Sequence, residues 1–147
     1  MTNQRIIFSQ PDGTVAVVAP TGEIPIEEVA AKCVPEGVLF EIVTVDDIPP
    51  DRTFRNAWVM GDCCIDHDLG LCKEIGHAMR RSARAEEFAP FDEVIAKQIP
   101  GFSAAEAEAA RQAIRDKYAD RQDAIDAAAT PEAIKAALDD TYTLGAE

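Results

Sequence analysis

Arg5-Ile6-Ile7-Phe8-Ser9-Gln10-Pro11-Asp12-Gly13-Thr14-Val15-Ala16-Val17-Val18 places two apolar runs on either side of a turn. Ile6-Ile7-Phe8 forms the apolar body of one strand, and the β-branched run from Thr14 to Val18 suits a returning one. Between them stands Pro11-Asp12-Gly13, where proline presets φ and glycine accepts a positive φ. The stretch therefore predicts a β-hairpin. Further along, Ile26, Val29, Ala30 and Cys33 recur at helical spacing, and Pro35-Glu36-Gly37 stops that helix. Val38 to Val45 reads as a third strand, alternating through Phe40, Ile42 and Thr44. Asp46-Asp47-Ile48-Pro49-Pro50 breaks the pattern, and Thr53 to Met60 offers a fourth strand or an edge segment.

Near residue 61 the composition changes from strand formers to Ala, Glu, Arg, Lys and Gln, all good helix formers. Leu71, Cys72, Ile75, Met79 and Ala83 mark one helical stripe, and Phe88, Phe91, Val94 and Ile95 mark another. Pro90 predicts a kink or restart near Glu87, since proline removes a helical hydrogen bond and crowds the preceding turn. Ile99-Pro100-Gly101 is a second breaker. Ser103-Ala104-Ala105-Glu106 matches a capping box, so a long helix should run from there to about Ala124. Ala107, Ala110, Ile114 and Tyr118 share one face of it. Thr130-Pro131-Glu132 should open a last short helix, because proline at the first helical position forfeits no bond. The expected class is α+β. A small β-β-α-β(β) unit spans residues 1–60, and a helical region spans 61–147 as an antiparallel hairpin plus a short C-terminal helix.

The chain has 147 residues and a formal charge of −13, which disfavours grip on a nucleic-acid backbone and suits a partner with a basic surface. No stretch reaches the roughly 18 uninterrupted apolar residues of a membrane helix, and Met1-Thr2-Asn3-Gln4-Arg5 lacks the features of a signal peptide. Cys33, Cys63, Cys64 and Cys72 are irregularly spaced, so they read as free thiols in a reducing compartment.

The densest polar cluster is Asp62-Cys63-Cys64-Ile65-Asp66-His67-Asp68, with Cys72 and His77 downstream. Thiolate and imidazole are natural zinc ligands, but four must converge and no C-x-x-C spacing is present. On a helix Cys72 and His77 would stand about 140° apart. The plain reading is a solvated acidic loop entering a helix, with Asp66 or Asp68 as its cap. Metal binding by Cys63, Cys64, His67, Cys72 and His77 stays an open alternative. A cysteine–histidine nucleophile built from Cys63 or Cys64 has no supporting signature, nor is there a G-x-S-x-G elbow or a glycine-rich phosphate loop. No catalytic, cofactor-binding or metal-binding residue is assigned, and no enzyme activity is expected. Arg80-Arg81-Ser82-Ala83-Arg84 reads as a solvated helix face paired with Glu74, Glu86 and Glu87 rather than a phosphate grip. Trp58 reads as core before it reads as an exposed anchor.

The chain resembles a family of small phage tail-region proteins, the tail-fibre assembly or tail-assembly kind. The likeness lies in Arg5-Ile6-Ile7, the Asp12-Gly13 turn before Val15-Ala16-Val17, and Ile26-Glu27-Glu28-Val29-Ala30. It continues in Val34-Pro35-Glu36-Gly37-Val38 and Asp47-Ile48-Pro49-Pro50-Asp51-Arg52-Thr53-Phe54-Arg55-Asn56-Ala57-Trp58. Lys73-Glu74-Ile75, Arg80-Arg81, Glu106-Ala107-Glu108, Arg111-Gln112 and Thr130-Pro131-Glu132 carry it through the second half. The Cys–His stretch at 62–77 departs from that pattern. The resemblance implies a non-enzymatic phage protein that binds virion or tail components, as a structural part or an assembly factor. It would be found in the host cytoplasm during infection, or in the virion. A phage inhibitor of a host defence, binding a host protein or a small messenger, is the competing expectation. Self-association is expected as well, as a symmetric dimer joined along the Ala107, Ala110, Ile114 and Tyr118 stripe.

Overall fold

The computed structural model describes residues 2–62, 64–97 and 103–138. Strand β1 (Gln4–Ser9) pairs antiparallel with β2 (Val15–Val18) on one side and with β3 (Phe40–Thr44) on the other, giving the order β2-β1-β3. Helix α1 (Ile26–Cys33) lies between β2 and β3 in the chain. A second, two-stranded sheet joins β4 (Trp58–Met60) to β5 (Ile65–His67), also antiparallel. Three helices follow: α2 (Leu69–Lys97), α3 (Ala104–Ala127) and α4 (Pro131–Leu138). The fold is thus a mixed β/α unit followed by two long packed helices and a short one. The chain divides into two compact units, residues 1–71 and 72–147, so the β4–β5 pair belongs with the first. Among the described residues no helix is long and apolar enough to cross a membrane.

The hairpin forms as its residues dictate. Gly13 takes φ 86°, its N–H donates to Gln10 O at 2.9 Å, and Asp12 accepts from the Thr14 N–H at 2.9 Å. This is a three-residue loop closed by a left-handed glycine. In β1 the side chains of Ile6, Ile7 and Phe8 are all buried, so both faces of that strand are covered. By register, Ile7, Val15, Val17 and Val43 share one face of the sheet. That face packs on Trp58 and Ile65 of the second sheet, with Val17, Ile48 and Met60 at its margin. Trp58, fully buried, is the largest side chain in this core, so the sequence expectation of a core tryptophan holds.

Three local expectations are corrected. The segment Ile65–His67, read as part of a solvated loop, is strand β5, because Val59 and Met60 offer it a partner and Ile65 fills the core. Asp68 does cap α2, accepting from the Leu71 N–H at 3.1 Å. The fourth strand is shorter than Thr53 to Met60, since Arg55–Ala57 forms a 3-10 turn ahead of β4. Finally, α2 does not restart near Glu87 but is one helix from Leu69 to Lys97 with Pro90 inside it. Ties to α3 on both sides of the proline hold the helix in place: Glu87 meets Lys117 at 2.7 Å and Asp92 meets Arg111 at 3.1 Å, while Arg111 also lies over the Phe88 ring. The breaker at Ile99-Pro100-Gly101 lies outside the described residues.

Within the second unit α2 and α3 are antiparallel, because their contacts run in opposite sequence order. Lys73 and His77 reach Asp126, Glu87 reaches Lys117, and Asp92 reaches Arg111. The Ser103–Glu106 capping box forms as expected, with Glu106 N–H to Ser103 Oγ at 3.0 Å and the reciprocal bond at 3.3 Å. Thr130 Oγ1 likewise accepts from Ala133 N–H ahead of Pro131 at the start of α4. The buried line of α3 is Ala107, Ile114, Tyr118 and Ile125. These side chains are covered inside one chain, and Ala110 of the same stripe is half-buried.

The stripe on α2 is displaced from the apolar one. Leu71 and Met79 are exposed, whereas Cys72 and Gly76 are buried. The contact line runs through Gly76, where a Cβ would meet Ile134 Cγ2 at 2.6 Å and Ile125 Cγ2 at 3.7 Å. Around the helix Met79 lies roughly 60° from Gly76, and Leu71 about 140°. Glycine lets α2 approach α3 and α4 there, and that approach selects the face.

Two substitutions test this packing. Trp58→Ala should cost about 3–5 kcal/mol in urea unfolding, as the loss of a large core side chain does. Gly76→Ala should destabilise by about 1–3 kcal/mol through overpacking against Ile134. Stabilisation by about 1 kcal/mol, the gain of Ala over Gly in an uncrowded helix, would show that the helices do not meet at this point.

Candidate functional site

Strand β1 sits between two partners and divides its backbone bonds between them. The Gln10 N–H donates to Thr14 O at 2.8 Å, which sets Phe8/Ala16 and Ile6/Val18 as the hydrogen-bonded pairs with β2. The Val45 N–H donates to Asn3 O at 2.7 Å, which sets Arg5/Val43 and Ile7/Glu41 as those with β3. In β3, therefore, Glu41 and Val43 bond inward to β1. Phe40, Ile42 and Thr44 point their N–H and C=O groups to the outer side. Among the described residues no strand pairs with that side.

The two edges of the sheet differ. On β2 the outward residues are Val15 and Val17, and Arg55 Nη2 donates to Val15 O at 2.6 Å. The Arg55 guanidinium is itself held 4.6 Å from the centre of the Trp58 ring, so a side chain anchored on the core closes this edge. On β3 only Thr44 is closed: its N–H and hydroxyl both donate to Asp47 Oδ2 at 2.8 Å. Those two bonds, the backbone one first, hold the Asp47 carboxyl below the usual carboxylate range. Phe40 and Ile42 keep their outward backbone groups.

The apolar side chains along this edge are exposed too. Leu39 is 91 % exposed, Phe40 43 %, Val45 41 % and Ile42 39 %. At the start of the strand a hollow of about 490 Å³ is lined by Ser9, Val38, Leu39, Phe40, Glu41, Met60 and Gly61. Natural proteins usually blunt an open edge with charge, proline or a bulge. Here Glu41 is the only charged residue in the strand. An open donor–acceptor row flanked by exposed apolar side chains and a hollow can add an extended main chain.

The cluster singled out in the sequence is dispersed in function. Cys63 lies outside the described residues. Cys64 O accepts from the Gly61 N–H at 2.8 Å in the β4–β5 turn, and His67 meets Trp58 edge-on with centroids 6.4 Å apart. Cys72 is buried in α2. His77 uses both ring nitrogens, Nε2 to Asp126 at 2.8 Å and Nδ1 to Arg80 Nε at 3.3 Å, and so links α2 to α3. No group of three or more His, Cys, Asp or Glu among the described residues is placed to hold a metal ion. The arginine run is partly engaged as well. Arg80 meets His77 and Arg84 lies over Phe88, while Glu87 pairs with Lys117 rather than with the run.

The open edge was missed in the sequence because exposure of Phe40 and Ile42 depends on which strand ends up central. The signal available was Leu39-Phe40 beside Ile42, an apolar run that one small sheet has little area to cover. No family model, curated protein or solved structure matches this chain.

Proposed function

We propose that this protein is a non-enzymatic binding module that takes up an extended segment of a partner protein along the outer edge of β3. The observation that carries the reading is the phase of the sheet, which leaves the backbone groups of Phe40 and Ile42 facing outward beside exposed apolar side chains. The occupant is an extended main chain, since only that matches a row of alternating donors and acceptors. The net charge of −13 favours a segment carrying Lys or Arg beside its apolar residues. The sequence likeness to phage tail-region proteins supports a virion or tail component as the partner, engaged in the assembled particle or on the way to it.

Ile42→Pro is the direct test. At this position the amide points away from β1, so proline removes an outward donor and no bond inside the sheet. Tagged wild-type protein recovered from infected cells should bring down a phage structural protein, and Ile42→Pro should reduce that recovery by about tenfold, the loss of one to two hydrogen bonds. Circular dichroism should show the variant folded. Undiminished recovery by the folded variant would remove β3 from the binding site, and recovery of a host protein instead would turn the reading to inhibition of a host defence.

A further inference from the structure

A cavity in the first unit gathers three arginines from two distant parts of the sequence. Arg5, Arg52 and Arg55 line a space of about 440 Å³ together with Val17, Ala19, Val45, Ile48, Pro49 and Pro50. This falls within the roughly 300–1,000 Å³ typical of small-molecule sites. No acidic residue lines it. In a chain with 27 acids against 14 bases, a cation cluster would ordinarily find carboxylates. Yet none of the ion pairs formed among the described residues uses Arg5, Arg52 or Arg55. Asp47 accepts from the Thr44 hydroxyl at 2.8 Å, and Asp51 Oδ1 accepts from the Thr53 hydroxyl at 2.6 Å.

Two of the guanidiniums are held in place by backbone carbonyls. Arg5 Nη1 donates to Thr2 O and Gln4 O, each at 2.8 Å, and Arg55 Nη2 donates to Val15 O at 2.6 Å while stacking on Trp58. In each case one nitrogen is spent and the remaining donors of the fork are not. Arg52 is exposed beside them. Burial first, and then the Arg52 charge, draw the Arg55 pKa below its ordinary value. The cluster therefore holds cations at a cost that an anion would relieve.

We infer that this cavity is a binding site for a small phosphorylated molecule, its phosphate gripped by Arg5, Arg52 and Arg55 and its body set against Val45, Ile48 and Pro49. A phosphate ester carries up to two negative charges and three acceptor oxygens, which three guanidinium forks can share. A single carboxylate offers one charge and two oxygens, and leaves the cluster under-neutralised. The apolar wall accounts for a ligand larger than phosphate itself. The site is independent of strand addition at β3 and stands or falls separately.

Isothermal titration calorimetry at low salt decides the matter, with pyrophosphate, adenosine monophosphate and acetate as probes. Pyrophosphate and adenosine monophosphate should bind saturably at one site, acetate at least about tenfold more weakly. Arg52→Gln should weaken both phosphate probes by about tenfold, as loss of a charge-assisted pair does, and leave thermal unfolding unchanged because Arg52 is exposed. Arg5→Gln provides a second variant with the same expected loss. Absence of binding by both phosphate probes at millimolar concentration would overturn the assignment. So would equal binding of acetate, or affinity that survives both substitutions.

Discussion

The division of hydrogen bonds along β1 is the constraint on which the rest of the first unit depends. Shifting β1 by one residue would turn Ile7 away from Trp58 and aim Ile6 and Phe8 at it instead. The register in turn determines which amides of β2 and β3 face outward. One consequence is that Val15 O lies where Arg55 can reach it; the other is that Phe40 and Ile42 present an open row. Edge, cap and groove all follow from one strand.

Trp58 links these features. Its indole fills the space between the two sheets, and its face carries the Arg55 guanidinium, which closes the β2 edge and lines the arginine cavity. A single aromatic residue thus serves the core and positions a cation. In the helical unit the corresponding part is played by absence of a side chain: Gly76 lets Ile134 and Ile125 approach α2, and the ion pairs from His77 to Asp92 follow along the same pair of helices.

What could be read in the sequence was local. Asp12-Gly13, Ser103 with Glu106, and Thr130-Pro131 each specify their turn or cap through atoms a few residues apart, and all three form. What could not be read depends on distant partners. A three-residue strand such as Ile65–His67 is too short to show alternation, and only β4 makes it a strand. Pro90 weakens its helix locally, while residues in α3 hold it. Arg5, Arg52 and Arg55 share no motif and meet only when β1 and the segment before β4 come together. The α3 stripe was legible as apolar, but whether it met the same chain or another copy was not.

Whether the outer edge of β3 is open to pairing is measured by residue-resolved amide hydrogen exchange on the free protein. An open edge gives alternation: Glu41 and Val43 slow, because their N–H groups bond to β1, and Phe40 and Ile42 fast, because theirs face outward. Slow exchange at all four positions would contradict it, since the edge would then already be covered.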